Sequence, residues 1–226
     1  MDGDDTSDSG HDPTVVGVVL AAGTGSRFAD AGRSGGDESV PENKLLATLE
    51  GEALVRRAAR SLAVPAVDRT IAVVGHDAAA VRDAVADAVD ETVENPAFAE
   101  GQGTSVAIAA RRAWAHGADV VCFLPGDMPC VSPATTSRVL EAVETPDGTP
   151  DAVVPTYDDR RGNPVAFGAS QFQALASLSG DVGGRALFDG IDVRRIPVED
   201  PGVHRDVDTV DDLEELREVA EAGVCA

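Results

Sequence analysis

Lys and Arg together number 18 in this chain, and only Lys44 is a lysine. An ammonium is a compact point charge on a flexible stem, suited to phosphate oxygens, whereas arginine binds through a rigid fork. A chain that has all but given up lysine and keeps one directs attention to its neighbours. Upstream lies LAAGTGSR, formed by Leu20, Ala21, Ala22, Gly23, Thr24, Gly25, Ser26 and Arg27. Gly23 and Gly25 let the backbone fold tightly so that successive amides can point at an anion, and Arg27 adds a fixed positive charge. The loop departs from both common nucleotide signatures: the dinucleotide fingerprint wants a third glycine where Phe28 stands, and the Walker loop wants Gly-Lys-Ser/Thr at its end. By itself it reads equally as an anion cradle or as an ordinary turn. Between it and Lys44 lies DAGRSGGDESVP (residues 30–41), a Gly-, Ser- and Asp-rich excursion. With that excursion looped out, Lys44 falls close behind the glycines, where it could meet triphosphate oxygens.

Carboxylates supply the complementary chemistry. The apolar run DVVCFLP leads directly into Gly126-Asp127-Met128-Pro129. At the carboxyl end of a central strand Asp127 lies at the usual ligand crevice, and a hard carboxylate there suits Mg²⁺ bound to phosphates; a cap of the next turn or helix is the other reading. HRDVDTVDDL sets Asp206 and Asp208 two apart, on one face if the segment is extended. Asp208 could complete a metal site, while Asp211 reads as a cap of the last helix. Cys122, Cys130 and Cys225 form no CxxC pair, and their odd number predicts packed thiols and a tail thiol in place of a disulfide framework or a metal site.

These groups need a scaffold, and the apolar pattern describes one. VVGVVLA and TIAVVG are short continuous apolar runs, which read as strands buried on both faces of a parallel sheet, and DVVCFLP is the most apolar of the set. ALVRRAARSLA spaces Leu54, Ala58, Ala59 and Leu62 along one helical face, with Pro65 beyond its end. Further helices are expected over AAAVRDAVADAV with Asp77 as N-cap, through Ile108 and Trp114 after the turn EGQGTS, from Pro133 to about Val143, and over DDLEELREVA. Short strands fall near Thr92 and Val93, in DAVVPTY and PVAF around an arginine-bearing turn, and in IDVRRIPV; GDVGGR opens a short helix. Strand alternating with helix predicts right-handed crossovers and a doubly wound sheet, with ligands beyond the carboxyl ends of its strands.

Composition bounds the function. With 226 residues, 43% hydrophobic and 26% charged, the chain fits one α/β domain (14–226) behind an acidic, solvated tail (1–13). No apolar run approaches membrane-spanning length and the N-terminus is acidic, so a cytoplasmic location is expected. A formal charge of −22, from 40 Asp and Glu, opposes binding to nucleic acid or an anionic membrane. Its spread through almost every polar stretch, together with arginine in place of lysine, reads as adaptation to high salt.

Taken in order, LAAGTGSRF, NKLL, GDMP, RGNPV, GDVGGRALF and DVDT resemble the MobA-like nucleotidyltransferases, and most closely the molybdenum cofactor cytidylyltransferases, over residues 15 to about 220. The resemblance implies a Rossmann-like, mostly parallel sheet with helices on both faces, the nucleotide-diphospho-sugar transferase fold. It implies attack by a substrate phosphate on the α-phosphorus of a nucleoside triphosphate, with release of pyrophosphate. The glycine loop and Arg27 then correspond to the triphosphate cradle, Lys44 to the lysine facing the α- and β-phosphates, Asp127 to the principal Mg²⁺ ligand and Asp208 to the second. Ser105 falls where the family often has a serine near the nucleotide, or else opens its helix. Relatives that use GTP tend to show LAGG; Ala22 adds a β-carbon beside the base, which favours CTP over GTP.

On the acceptor side, Arg160, Arg161, Gly162 and Asn163, with Gly180, Asp181, Gly183, Gly184 and Arg185, match the parts of the family that face the pterin, although Arg160 and Arg161 could instead balance surface carboxylates. The implied substrates are CTP and molybdopterin, and the implied downstream partner is a molybdenum hydroxylase or its chaperone. GMP transfer, cytidylyl transfer to a sugar or polyol phosphate, and a non-catalytic nucleotide-binding chaperone are the alternatives. Relatives usually carry the lysine nearer the glycine loop, so the excursion before Lys44 is a departure.

Overall fold

A computed structural model describes residues 12–29, 41–143, 150–221 and Cys225. Most of the acidic tail (1–11) and most of the excursion (30–40) lie outside the described residues. The frame is an eight-stranded mixed sheet made of β1 (Val15–Ala21), β4 (Arg69–Val74), β5 (Glu91–Glu94), β6 (Val120–Pro125), β7 (Ala152–Tyr157), β8 (Arg160–Arg161), β9 (Val165–Gly168) and β10 (Val193–Pro197). A separate hairpin joins β2 (Thr48–Leu49) to β3 (Glu52–Ala53). The order along the main sheet is β10-β7-β9-β6-β1-β4-β5, with β8 on β7. β1 pairs in parallel with both β4 and β6, whereas β9 runs antiparallel to β6 and β7. The parallel sheet expected from the first half is therefore observed, and the later half makes it mixed.

The apolar run of β1 is explained by its two covered faces. Val16 and Val18 point into one core with Ala109, Ala110 and Ala113 of α3 (Gln102–Ala115) and Phe172 and Leu175 of α5 (Phe172–Leu175). Val15, Val19 and Ala21 point into the other, with α1 (Leu54–Ser61), α2 (Ala78–Val85) and α4 (Pro133–Glu141). This period-two division is what a strand sandwiched between helix layers requires. A third cluster seats α6 (Val210–Glu221) over the hairpin through Leu213, Leu216, Leu49, Leu54 and Phe28.

Four expectations are corrected. Asp77 does stand before α2, but its backbone is left-handed (φ 51°) and its side chain makes no capping bond. Asp212, not Asp211, caps α6: its carboxylate accepts from the amides of Asp208 and Thr209, and its own amide donates to Thr209 Oγ1, a reciprocal capping box. α2 ends at Val85, four residues short of the expected run to Val89. Cys130 and Cys225 are bonded to each other, with Cα atoms 4.8 Å apart, leaving Cys122 as the buried free thiol. Counting cysteines could not find this pair, because the fold folds the chain's end back against the loop after β6.

Candidate active site

β1, β4 and β6 run in parallel, so their carboxyl ends open on one edge, and the loops that follow them build the site. After β1 the chain passes through Gly23 and Gly25 into a helical turn over residues 26–29. Gly25 has φ +58°, and a Cβ there would stand 3.1 Å from Lys44 Cγ, so the glycine both makes the turn and admits the lysine stem. Residues 30–40 of the excursion lie outside the described residues, and Lys44 packs behind the glycines as expected. Lys44 opens a short 3-10 turn (Lys44–Leu46) fixed by Asn43, whose side-chain oxygen accepts from the amide of Leu45 at 3.0 Å.

The Lys44 ammonium lies 2.7 Å from Asp127 Oδ2 and 2.8 Å from Asp208 Oδ1, and Arg27 Nη1 lies 2.7 Å from Asp208 Oδ2. Two segments far apart in sequence are therefore held at one cation, and the amide of Val207 donates to the carbonyl of Asp127 at 3.0 Å to fix them. Burial alone would lower the Lys44 pKa, but the two carboxylates together raise it above its ordinary value. The hydrogen bond from Lys44 is the largest influence and, with the charges of Lys44 and Arg27, draws Asp208 below the usual carboxylate range against burial, which comes second and pushes the other way. Asp206 behaves oppositely, raised by desolvation and by the nearby charges of Asp127 and Asp208.

Asp127 Oδ1 is buried and has no hydrogen-bond partner among the described residues. Hard carboxylate oxygens of this kind fit a divalent cation. No group of three or more His, Cys, Asp or Glu among the described residues is placed to hold a metal. Two carboxylates, completed by substrate phosphate and water, match the way Mg²⁺ is commonly bound.

Two clefts meet at this point. One, of about 370 Å³, is lined by Leu20, Ala22 to Arg27, Lys44, Phe98, Ser105 and Asp127. Ala21, by contrast, is buried in the core, so only its backbone belongs to the loop. Ser105 sits inside α3 and does not open it; its hydroxyl accepts from Asn95 Nδ2 at 2.9 Å. The larger cleft, of about 630 Å³, also reaches Leu20 and Asp127 and is lined by Arg160, Arg161, Asn163, Gly183, Gly184 and Arg185 over a floor that includes Phe123 and Phe167. Gly162 is not part of this wall: it packs beneath Val203, whose Cβ a side chain there would meet at 2.6 Å. Gly180 faces Gly101 at the turn before α3, and the amide of Gly103 in the first turn of α3 donates to the Gly180 carbonyl at 2.8 Å, so the two glycine-rich segments are each other's partners.

Among the described residues Arg160, Arg161 and Arg185 form no ion pair, whereas Arg27, Arg56, Arg57, Arg60, Arg82 and Arg112 each meet a carboxylate. Arg161 lies 5.3 Å from the Phe188 ring centre, and His204 hydrogen-bonds the Arg160 carbonyl at 3.0 Å. Phe98, Gln102, Met128 and His204 line the clefts without having been singled out in the sequence. Nothing in their local pattern separates them from ordinary core or turn residues; only the pairing of loops brings them to the site.

A Rossmann-like sheet with a glycine loop, a lysine and two carboxylates at its carboxyl edge defines a nucleotidyltransferase. Residues 17–196 match the MobA-like NTP transferase domain, and the chain belongs to that family. It is similar to a nucleotidyl transferase from Methanothermobacter, at 26% identity and TM-score 0.76, covering 93% of this chain and 99% of that one. A Mycobacterium tuberculosis protein solved in complex with manganese is 28% identical with TM-score 0.66, covering 91% of this chain and 98% of that one. The bifunctional protein GlmU of Rhodospirillum rubrum is 32% identical over 152 residues; the match spans 67% of this chain but only 30% of GlmU. No helix among the described residues is long and apolar enough to cross a membrane.

Proposed function

We propose that this nucleotidyltransferase moves CMP from CTP to molybdopterin in its molybdenum-bound form and releases pyrophosphate. The observation that carries the reading is that Asp127 lines both clefts, so a nucleotide in the smaller and an anionic acceptor in the larger meet at one carboxylate. Support for the acceptor comes from Arg160, Arg161 and Arg185, which line the larger cleft with no ion pair among the described residues and offer charge to a phosphate, and from an apolar floor that suits a ring system. Ala22, whose Cβ lies beside Gly75 and the Phe98 side chain, narrows the wall of the smaller cleft and favours a pyrimidine.

In this mechanism the acceptor phosphate oxygen forms a bond to the α-phosphorus as the bond from that phosphorus to the bridging oxygen breaks. The electron pair leaves with pyrophosphate. A phosphate monoester is already ionised near neutral pH, so no general base is required. Amides of the glycine loop and Arg27 orient the triphosphate, Lys44 offsets charge growing between the α- and β-phosphates, and the arginines of the larger cleft hold the nucleophile in line. Asp127 and Asp208 would hold Mg²⁺, which supplies Lewis-acid stabilisation of the transferring phosphoryl group when bound.

The same reading puts the protein in the cytoplasm, with its acidic surface adapted to high salt and a molybdenum hydroxylase or its chaperone receiving the product. The test is pyrophosphate release at high salt with Mg²⁺, comparing CTP, GTP, ATP and UTP with and without molybdopterin. Release is expected to require both CTP and the acceptor; equal or better use of GTP would refute the choice of base.

A further inference from the structure

The lysine that faces the triphosphate in the reading above is engaged elsewhere in the chain by itself. Its ammonium spans Asp127 Oδ2 and Asp208 Oδ1, while Arg27 takes the second oxygen of Asp208. Of the four carboxylate oxygens, only Asp127 Oδ1 is without a partner among the described residues. A divalent cation bound to both carboxylates would come within roughly 3–4 Å of an ammonium left at hydrogen-bond distance from the same groups, a separation at which like charges in a shielded site repel strongly. The two cations therefore compete for one seat.

We propose that Lys44 is the built-in occupant of the divalent-metal seat, so that metal enters together with the triphosphate and not ahead of it. The proposal rests on the nucleotide-transfer reading. Lys44 is held from behind, because Asn43 fixes its turn and its stem packs on Gly25. Its side chain is only 11% exposed, and its bonded acceptors among the described residues are those two carboxylates. A metal ion arriving alone would leave the ammonium buried without a partner, a state proteins avoid. A triphosphate arriving with the metal brings new oxygens to which Lys44 can transfer, since Gly25, against which the stem lies, belongs to the same loop that would cradle the phosphates. Metal and nucleotide then bind with positive coupling, and the coupling is reciprocal.

The experiment is a Mn²⁺ titration of the full chain without nucleotide, followed by the electron paramagnetic resonance signal of free Mn²⁺. Lys44→Met is expected to bind Mn²⁺ at least about tenfold more tightly than the wild type, and adding Asp127→Asn should remove the gain. Equal affinities of wild type and Lys44→Met overturn the proposal. Wild-type protein supplies a second measurement that does not depend on a variant folding. Mn²⁺ should load onto it with the α,β-methylene analogue of CTP and not alone, and equal loading in the two conditions also overturns the proposal. Pyrophosphate release reports separately on the underlying reading: equal affinities with turnover intact remove the gate alone, and an affinity gap without turnover removes the transfer reading alone.

Discussion

At the scale of residues, Lys44 and its two carboxylates tie stability to function through opposite titrations. The Asp208 carboxyl is held below its ordinary range, so its contribution is present above the unfolded pKa and lost as pH falls through the folded one. Lys44 is raised, so its contribution is present below the unfolded pKa and lost as pH rises through the folded one. Asp208→Asn should accordingly lower the thermal midpoint at neutral pH, with the gap from wild type closing under acid conditions; a gap independent of pH would contradict the ion pair. Lys44→Ala and Asp127→Ala should each reduce kcat by roughly 10²- to 10³-fold or more while circular dichroism stays unchanged, as expected when a charge that meets the transition state is removed. Base choice is tested at Ala22. Ala22→Gly should raise kcat/KM for GTP relative to CTP by about tenfold, the order expected of a small change in pocket size, measured as competing initial rates.

Elements explain why parts of this site were legible in sequence and others were not. The continuous apolar runs of β1, β4 and β6 announced a buried parallel sheet, and the carboxyl ends of β1 and β6 led directly to Gly23, Gly25 and Asp127. Lys44 was legible because it is unique, and its nearness to Gly25 followed once residues 30–41 were read as an excursion. The hairpin β2–β3 was not, since two residues per strand carry no periodicity. Neither was the antiparallel course of β9, which depends on how the chain returns and not on its own composition. The link from Cys130 to Cys225 is a long-range outcome of the same kind, spanning 95 residues and tying the end of α6 to the loop that bears Asp127. Closing so long a loop restricts the unfolded chain, so Cys225→Ser or a reductant should destabilise the fold by roughly 2–5 kcal/mol in denaturant titration. A negligible change would show that packing of α6 through Leu213, Leu216 and Ala220 holds it without the link.

For the whole molecule, a charge of −22 coexists with a site proposed to take polyanions. Bulk repulsion of substrate is long-ranged, whereas Lys44, Arg27 and the arginines of the larger cleft act at contact distance. Salt at molar strength shortens the screening length to roughly 3 Å, which removes the first effect and spares the second. Loss of salt should therefore raise KM for CTP and lower the thermal midpoint together; a fold unaffected by dialysis would leave the acidic surface without this explanation. The organisation of two clefts around Asp127 is tested most directly by following the phosphorus atoms. CTP labelled at the α position and CTP labelled at the γ position are each incubated with molybdopterin, Mg²⁺ and the protein, and the products are separated. The α label is expected in the acceptor and the γ label in pyrophosphate. Release of either label as orthophosphate, or an acceptor that gains none of the α label, would contradict nucleotidyl transfer at this site.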